Sequence, residues 1–157
     1  MPGLLKKIIG KTWRALPVIV RQKAVRWTQE KFTVSVGGVV FNQRGEVLLL
    51  DHVLRPASGW GIPGGFMGAG EQPAETLERE IFEETGLRAA DLKMIRVKTN
   101  YRHVEILFRA RAASEPRVLS SEIHSARWFA LEEMPAAMSD AQKRLIRQIA
   151  AAEKTAD

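Results

Sequence analysis

The stretch from Gly65 to Leu87 reads GFMGAGEQPAETLEREIFEETGL and decides how the rest of the chain is interpreted. Its first part is rich in glycine, which favours a loop whose backbone approaches other groups closely. Pro73 then suits the first turn of a helix, and Gly86 suits the residue that ends one. The stretch therefore predicts a glycine-rich loop followed by a helix from about Pro73 to Thr85.

The predicted helix carries three glutamates on one side. Glu80, Glu83 and Glu84 stand at i, i+3 and i+4, a spacing that brings their carboxylates together. Like charges at this spacing repel one another unless a cation neutralises them. A solvated acidic surface explains a bare pattern of this kind. A bound divalent cation is the other explanation, and oxygen-rich carboxylate sites suit Mg²⁺ or Mn²⁺.

The residues around the glutamates favour the cation. Gly65, Glu71 and the run from Arg79 to Leu87 match the pattern Gx5Ex7REUxEExGU, where U is aliphatic, at all nine specified positions. This pattern resembles the box of the Nudix hydrolase family. The resemblance covers roughly residues 32–150. It implies an α/β fold of the Nudix type, an α/β/α sandwich with a mixed sheet, and hydrolysis of a phosphoanhydride bond.

The resemblance also assigns roles within the box. Four groups are implied to ligate the metal: the carboxylates of Glu80, Glu83 and Glu84 and the carbonyl group of Gly64. Glu71 is implied to act on the metal through a bound water. Mg²⁺ is the expected ion, with Mn²⁺ as the alternative. Arg79 precedes Glu83 by four residues on the same helix, so we expect it to pair with this carboxylate and fix its orientation.

A further acid, from outside the box, is implied as general base or additional metal ligand. Glu122, six residues before Trp128, has the implied position. An ordinary loop carboxylate is the alternative interpretation of Glu122. Glu105, in a predicted strand, is the competing candidate for the role.

Three residues are candidates for contact with the substrate: Arg55, Trp60 and Arg102. Arg55 precedes the glycine-rich loop, where a phosphate contact and a solvated side chain are both reasonable interpretations. Trp60 is expected in the core, with stacking on a nucleobase as the alternative. Arg102 is a candidate through its neighbour His103, for which facing the substrate and being an ordinary surface or partly buried imidazole are the two interpretations.

The 157-residue chain has a formal net charge of +6, which is unevenly distributed. Seven cations precede the first acidic residue, Glu30: Lys6, Lys7, Lys11, Arg14, Arg21, Lys23 and Arg26. The other 17 basic residues stand against 18 acidic ones, a net charge of −1. No stable nucleic-acid partner is therefore expected for the region after the basic segment. The expected partner is a nucleotide-type small-molecule substrate.

Composition fits one domain with a sizeable core, since 45% of the residues are hydrophobic. The absence of cysteine excludes disulfides, thiolate metal sites and a cysteine nucleophile. No apolar run reaches the length of a membrane-spanning helix. We expect a cytoplasmic location, and the alternative is a peripheral contact with a membrane.

Residues 1–30 are predicted to form a basic amphipathic helical extension, and residues 31–157 the Nudix domain. The helix is expected to break at Pro17. We expect its apolar residues to pack on the domain or across a homodimer interface, with Val18, Ile19 and Val20 buried. The alternative is that residues 1–28 lie on an anionic membrane surface.

The remaining elements are predicted from periodicity and turn residues. Strands at 32–41 and 46–53 are expected to form a hairpin around a turn at 42–45. The segment 54–66 is expected to be a loop with a short strand near 60–62. Further elements are expected as strands at 92–99, 104–112 and 126–130 and a final helix at 139–153.

The resemblance implies a metal-dependent pyrophosphohydrolase acting on a nucleoside diphosphate linked to another moiety, of the ADP-ribose or nucleotide-sugar type. Hydrolysis of a (deoxy)nucleoside triphosphate or of a dinucleoside polyphosphate is the alternative within the enzyme class. A non-catalytic binding module of the same fold is the alternative outside it. The box keeps every glutamate, which counts against the binding module.

Overall fold

The computed structural model describes residues 2–54 and 59–154. Contacts between residues divide the chain into two compact units, Met1–Lys31 and Phe32–Asp157. The first unit contains helix α1 (Pro2–Ala15) and helix α2 (Val18–Thr28). Pro17 separates them and accepts hydrogen bonds at its carbonyl from Val20 and Arg21, the first turn of α2. The predicted helix break is thereby confirmed, because proline cannot continue a helix through its own position.

The Val18–Ile19–Val20 cluster is not buried within the chain, and its burial across a homodimer interface stays a prediction. These side chains are 55%, 67% and 45% exposed. Consecutive residues of a helix point about 100° apart, so three neighbours cannot share one buried side. In α2 the cations Arg21, Lys23 and Arg26 interrupt the apolar residues, which leaves the helix without a continuous apolar stripe.

Within the described residues, the second unit contains seven strands and two helices. They are β1 (Thr33–Phe41), β2 (Val47–His52), β3 (Trp60–Gly61), β4 (Gly64–Phe66), α3 (Pro73–Thr85), β5 (Ala90–Asn100), β6 (His103–Arg111), β7 (Ile123–Phe129) and α4 (Asp140–Lys154). The strand order is β3-β2-β1-β6-β5, with β4 paired to β1 and β7 paired to β2. Because β1 and β6 are parallel and the other pairs antiparallel, the sheet is mixed, as predicted.

Strand β1 supplies both sides of the core by simple alternation. Val36 and Val40 pack in one buried cluster with Leu77 and Ile81 of α3. Val39 and Phe41 pack in a second cluster with Ile146 of α4. The sheet therefore lies between α3 and α4, which is the expected α/β/α arrangement.

The predicted hairpin of β1 and β2 is reduced to its turn. The two strands pair only at Phe41 and Val47, where Asn42 Oδ1 accepts hydrogen bonds from the backbone N–H groups of Arg44 and Glu46 at 2.9 and 3.0 Å. Beyond the turn, β2 pairs with β7 and β1 pairs with β4 and β6. Pairings between distant segments thus replace the local one.

Strand β4 lies where the sequence predicted a loop. Gly64 pairs with Gly37 of β1 and has φ of +150°, and a Cβ atom at Gly64 would lie 2.2 Å from the carbonyl oxygen of Val36. Only glycine permits this approach of one backbone to another. The pairing brings the start of the box directly against the central strand.

Candidate active site

Helix α3 holds the box glutamates and is well defined by its own sequence. Pro73 occupies its first turn, and Gln72 and Glu75 form a reciprocal capping box at its start. Gly86 ends the helix in the left-handed conformation, with φ of +69°. Leu77 and Ile81 are fully buried on the side that faces the sheet, which fixes the direction in which the polar side points.

Arg79 is the centre of the site. Its Nε donates to Glu71 Oε1 at 2.8 Å, and its Nη2 donates to Glu71 Oε2 at 3.2 Å. Its Nη1 lies 2.9 Å from Glu80 Oε1 and 3.0 Å from Glu83 Oε2. The guanidinium group thereby links the loop glutamate to two glutamates of the helix. The expected pairing with Glu83 is present and is one part of a larger network.

Glu71 is held in its ionised form by four donors. Besides the two bonds from Arg79, it accepts hydrogen bonds from the backbone N–H of Gly68 at 2.7 Å and from the hydroxyl of Thr76 at 3.0 Å. These bonds, those from Arg79 foremost, lower the pKa of the Glu71 carboxyl to about 2. The same pairing raises the pKa of Arg79 above its ordinary value. Glu71 therefore locks the glycine-rich loop onto the start of α3.

Glu80 reaches the glycine-rich strand β4. A Cβ atom at Gly65 would lie 2.3 Å from Glu80 Oε1, so any other residue there would displace this carboxylate. The first glycine of the box therefore leaves room for Glu80 in the position that the structure shows. Gly64, the implied carbonyl ligand, precedes it in the same strand.

The three helix glutamates differ in exposure. The side chain of Glu83 is 56% exposed, that of Glu80 is 18% exposed, and Glu84 is buried with 7% exposure. The backbone carbonyl of Glu84 accepts a hydrogen bond from the N–H of Leu119 at 3.1 Å, and that of Thr85 accepts one from Arg117 at 2.9 Å. The segment that leads to β7 is therefore fixed to the end of α3.

Among the described residues, no three Asp, Glu or His side chains are gathered closely enough to hold a metal ion by themselves. The donors nevertheless fit a hard divalent cation, since they are carboxylate oxygens carried by a rigid helix. One positively charged atom, Arg79 Nη1, already lies within 3.0 Å of both Glu80 and Glu83. The two carboxylates can therefore face a single cation.

Glu122 lies on the segment just before β7. Its carbonyl accepts a hydrogen bond from the N–H of Val53 at 2.9 Å, and its own N–H donates to Ser120 Oγ at 3.2 Å. The residue is exposed. Glu105, the competing candidate, lies in β6 at 3.7 Å from Arg96 of the neighbouring strand β5.

Trp60 and Arg102 lie at opposite ends of the strand order. Trp60 packs in the cluster beneath α4, edge to face with Phe129 at 5.1 Å, and the Arg127 guanidinium lies 5.4 Å from its ring centre. Arg102 is exposed in the turn between β5 and β6 and accepts a hydrogen bond at its carbonyl from Thr33. Arg55 lies outside the described residues.

Two features of the site region were not predicted. The hydroxyl of Thr76, in a fully buried residue, anchors Glu71. The ring nitrogens of His103 are hydrogen-bonded to Thr33 Oγ1 at 2.8 Å and Ser35 Oγ at 2.9 Å, and Phe66 lies edge to face with the ring at 5.8 Å. The only sequence signal was the pair of hydroxyl residues in the otherwise apolar strand β1.

The fold and the site define a class of α/β enzyme in which a helix rich in glutamate lies beside a glycine-rich strand that pairs with the central strand of a mixed sheet. The family model for the NUDIX domain matches residues 31–149. The chain therefore belongs to the Nudix family and is a Nudix hydrolase. The match confirms the resemblance identified from the box.

Relatives support the same assignment. A MutT-like protein of Streptomyces ambofaciens is 31% identical over 111 residues, which cover 69% of this chain and 70% of the relative. An RNA pyrophosphohydrolase of Yersinia enterocolitica is 31% identical over 101 residues, which cover 64% of this chain and 55% of the relative. The chain thus spans about half the length of the latter.

Solved structures share the fold. A MutT Nudix hydrolase from Burkholderia pseudomallei superposes with a TM-score of 0.65 and 26% identity, covering 76% of this chain and 99% of that one. The Nudix domain of Shewanella oneidensis NrtR, complexed with ADP ribose, superposes with a TM-score of 0.65 at 21% identity, covering 83% and 92%. The second likeness concerns the fold alone.

Proposed function

We propose that this Nudix hydrolase is a metal-dependent pyrophosphohydrolase that cleaves the phosphoanhydride bond of a nucleoside diphosphate linked to another moiety, of the ADP-ribose or nucleotide-sugar type. The observation that carries the proposal is the network in which Arg79 joins Glu71 to Glu80 and Glu83. Such a network fixes acidic side chains before a substrate arrives, which is what catalysis by preorganised charge requires. The cytoplasm is the proposed location, and a chain without cysteine is compatible with its reducing conditions.

The metal proposed for this site is Mg²⁺, with Mn²⁺ as the alternative. Its ligands would come from Glu80, Glu83 and Glu84 and from the carbonyl of Gly64. A bound divalent cation neutralises phosphate oxygens and lowers the pKa of a water molecule. Glu71 has each carboxylate oxygen in a bond to Arg79, so its proposed role is to position Arg79 and, through it, the ligands.

The remaining roles in the reaction are those of proton acceptor and of phosphate contact. Water adds to a phosphorus atom, the bridging P–O bond breaks, and a carboxylate takes the proton of the water. We assign the role of proton acceptor to Glu122. The segment that carries this exposed residue is hydrogen-bonded to the end of α3 at Glu84 and Thr85. Arg102 is the proposed contact for a substrate phosphate at the edge of the domain, with Arg55 as a second contact.

The substrate class is the one implied by the resemblance of the box, and the NrtR domain that shares the fold is complexed with a ligand of this class, ADP ribose. A second candidate is a 5′-triphosphate, free or at the end of an RNA, which is favoured by the identity to an RNA pyrophosphohydrolase. Dinucleoside polyphosphates complete the set of candidates.

A substrate panel separates these candidates. The purified chain is incubated with Mg²⁺ or Mn²⁺ and ADP-ribose, a nucleotide sugar, a nucleoside triphosphate, a dinucleoside polyphosphate or a 5′-triphosphorylated RNA. The proposal expects the highest kcat/KM for ADP-ribose or the nucleotide sugar, with AMP and ribose 5-phosphate as the products from ADP-ribose. A higher kcat/KM for the triphosphates, with pyrophosphate released, would establish the second candidate instead. Full activity in excess chelator would refute the metal dependence.

A further inference from the structure

The Met1–Lys31 unit exposes large apolar side chains on a strongly basic segment. In α1, Ile8 is 53% exposed, Ile9 is 58% exposed and Trp13 is 39% exposed. In α2, Trp27 is 90% exposed. Exposed apolar groups in this number mark a surface that associates with something apolar. No helix among the described residues has the length and hydropathy needed to cross a bilayer.

Between Ile8 and Arg14, helix α1 separates its apolar and basic residues. At 100° per residue, Ile8, Ile9 and Trp13 fall on one half of the helix, and Lys11 and Arg14 fall on the other. A helix of this kind, with cations on the polar side and tryptophan or large aliphatic residues on the other, is suited to lie in the plane of a membrane interface.

A cleft of about 390 Å³ between α1 and α2 is likewise lined by both apolar and basic side chains. The Nε atom of Arg21, which lines the cleft, is buried and has no hydrogen-bond partner within the described residues. A buried guanidinium nitrogen without a partner is costly unless a ligand supplies an acceptor. The lining is formed by Trp13, Val18, Arg21, Gln22, Val25 and Arg26.

The charge of the segment identifies the partner. Seven cations and no acid precede Glu30, whereas residues 30–157 have a net charge of only −1, so the excess positive charge of the chain belongs to this segment. A second copy of the chain presents the same cations and repels the first. A nucleic acid would neutralise the charge but would leave Ile8, Ile9 and Trp27 in water. An anionic lipid surface satisfies both the cations and the apolar side chains.

We propose that Pro2–Thr28 docks the hydrolase on anionic phospholipid bilayers. Helix α1 lies in the interface with Ile8, Ile9 and Trp13 among the acyl chains. Arg21 and Arg26 take a lipid phosphate in the cleft between the helices. This docking is independent of the proposed reaction, since the box lies in the other unit.

Co-sedimentation of the full chain with vesicles tests the docking. The vesicles contain phosphatidylcholine with or without about 30% phosphatidylglycerol, an anionic lipid. The full chain is expected to bind only the anionic vesicles, with loss of binding at high salt. The double variant Lys11→Gln/Arg14→Gln is expected to bind about 30-fold more weakly, because each cation near an anionic surface contributes about fivefold. Its hydrolytic activity on a soluble substrate stays at the wild-type level.

A matched control variant replaces the same two residue types in the Phe32–Asp157 unit. Lys93→Gln/Arg96→Gln on the exposed strand β5 removes one lysine and one arginine from the other unit and is expected to leave vesicle binding unchanged. Ile8→Ser/Ile9→Ser is expected to weaken binding about tenfold or more, whereas Met94→Ser/Val97→Ser on β5 is not. Circular dichroism is used to check that the α1 variants keep the wild-type helix content.

Four outcomes would overturn the proposal. They are equal binding to neutral vesicles, equal losses from the α1 and β5 variants, no vesicle binding at all, and salt-sensitive binding of a single-stranded RNA in place of vesicles.

Discussion

Helices α1 and α3 each carry a row of like charges beside an apolar side, and they differ in how those charges are balanced. In α3, Arg79 lies among the carboxylates and within 3.0 Å of Glu80 and Glu83. The segment that contains α1 has seven cations and no acid before Glu30. In α3 one arginine pairs with three carboxylates and orders them, which leaves negative charge for a divalent cation, whereas the cations of the first segment have no comparable network in the same part of the sequence. Each prediction below either changes one charged side chain or places a new atom beside one. The measured loss shows whether that charge serves the active site or the stability of the fold.

The largest effect is expected for Glu83→Gln. The amide keeps the shape of the side chain and removes the charge that would hold a divalent cation, so kcat should fall about 10³-fold. Glu78→Gln makes the same chemical change at an exposed position of the same helix and should leave kcat unchanged. Steady-state kinetics at saturating Mg²⁺ give both values. Equal kcat for the two variants would show that Glu83 has no role in the active site.

The second effect concerns the proton acceptor. If Glu122 is the base, Glu122→Gln should lower kcat by about 10²-fold or more with little change in KM, and the acidic limb of the pH profile should disappear. Glu105→Gln provides the comparison, because this residue already pairs with Arg96 at 3.7 Å. A loss confined to Glu105→Gln would transfer the role from the segment before β7 to strand β6.

The third effect separates activity from stability. In Gly65→Ala, the new Cβ atom would meet the Glu80 carboxylate at 2.3 Å. The carboxylate is the end of a flexible side chain and can move, so the melting temperature should fall by only a few degrees while kcat falls about 10²-fold. Gly10→Ala, where a Cβ atom meets open space, should change neither quantity appreciably. A large loss of stability with retained kcat would show that Gly65 serves the fold and not the site.

Local signals predicted α3 well, and the sequence failed where distant segments meet. Pro73 and Gly86 lie within the helix or next to it, and they define bounds that the structure reproduces, with a Gln72–Glu75 capping box at the same start. Strand β4 consists of three residues whose strand character depends on β1, about 30 residues earlier in the chain. Pairing of this kind leaves no periodic pattern in so short a segment.

The contacts of the active site also divide into those that follow from local spacing and those that depend on distant segments. The i, i+4 pair of Arg79 and Glu83 follows from helix geometry and was predicted. The bonds from Arg79 to Glu71 depend on the path of the glycine-rich loop, and the contact of Glu80 with Gly65 depends on the pairing of β4 with β1. Neither is encoded by spacing along the chain.

The fourth prediction tests the geometry of the arginine. Arg79→Lys keeps the positive charge but cannot form the two parallel bonds to Glu71 together with the contacts to Glu80 and Glu83. We expect kcat to fall by about 10- to 100-fold, the usual cost of losing a residue that orients ligands. Isothermal titration with Mn²⁺ should show weaker metal binding in parallel. Wild-type metal affinity with reduced kcat would instead indicate direct contact of Arg79 with the substrate.

The smallest effect is expected at a balanced carboxylate far from the box. In the turn before β2, Glu46 accepts hydrogen bonds from Arg44 Nε at 2.9 Å and from Asn42 Nδ2 at 2.6 Å. The bond from Arg44, followed by that from Asn42, lowers the pKa of Glu46 in the folded protein below its usual value of 4.5. A lowered folded-state pKa stabilises the protein above the unfolded pKa, and the stabilisation is lost as the pH falls through the folded pKa.

Glu46→Gln should therefore lower the melting temperature slightly near neutral pH and progressively less as the pH is taken below 4.5, the usual pKa from which that of Glu46 is lowered. Glu115→Gln is the matched control, because Glu115 approaches the same arginine only to 3.8 Å and its side chain is 77% exposed. Its melting temperature should follow that of the wild type at every pH, since exposed ion pairs contribute little. Differential scanning calorimetry from neutral to acidic pH measures both variants. A melting-temperature difference for Glu46→Gln that stays constant with pH would mean that the turn depends on the shape of the side chain and not on its charge.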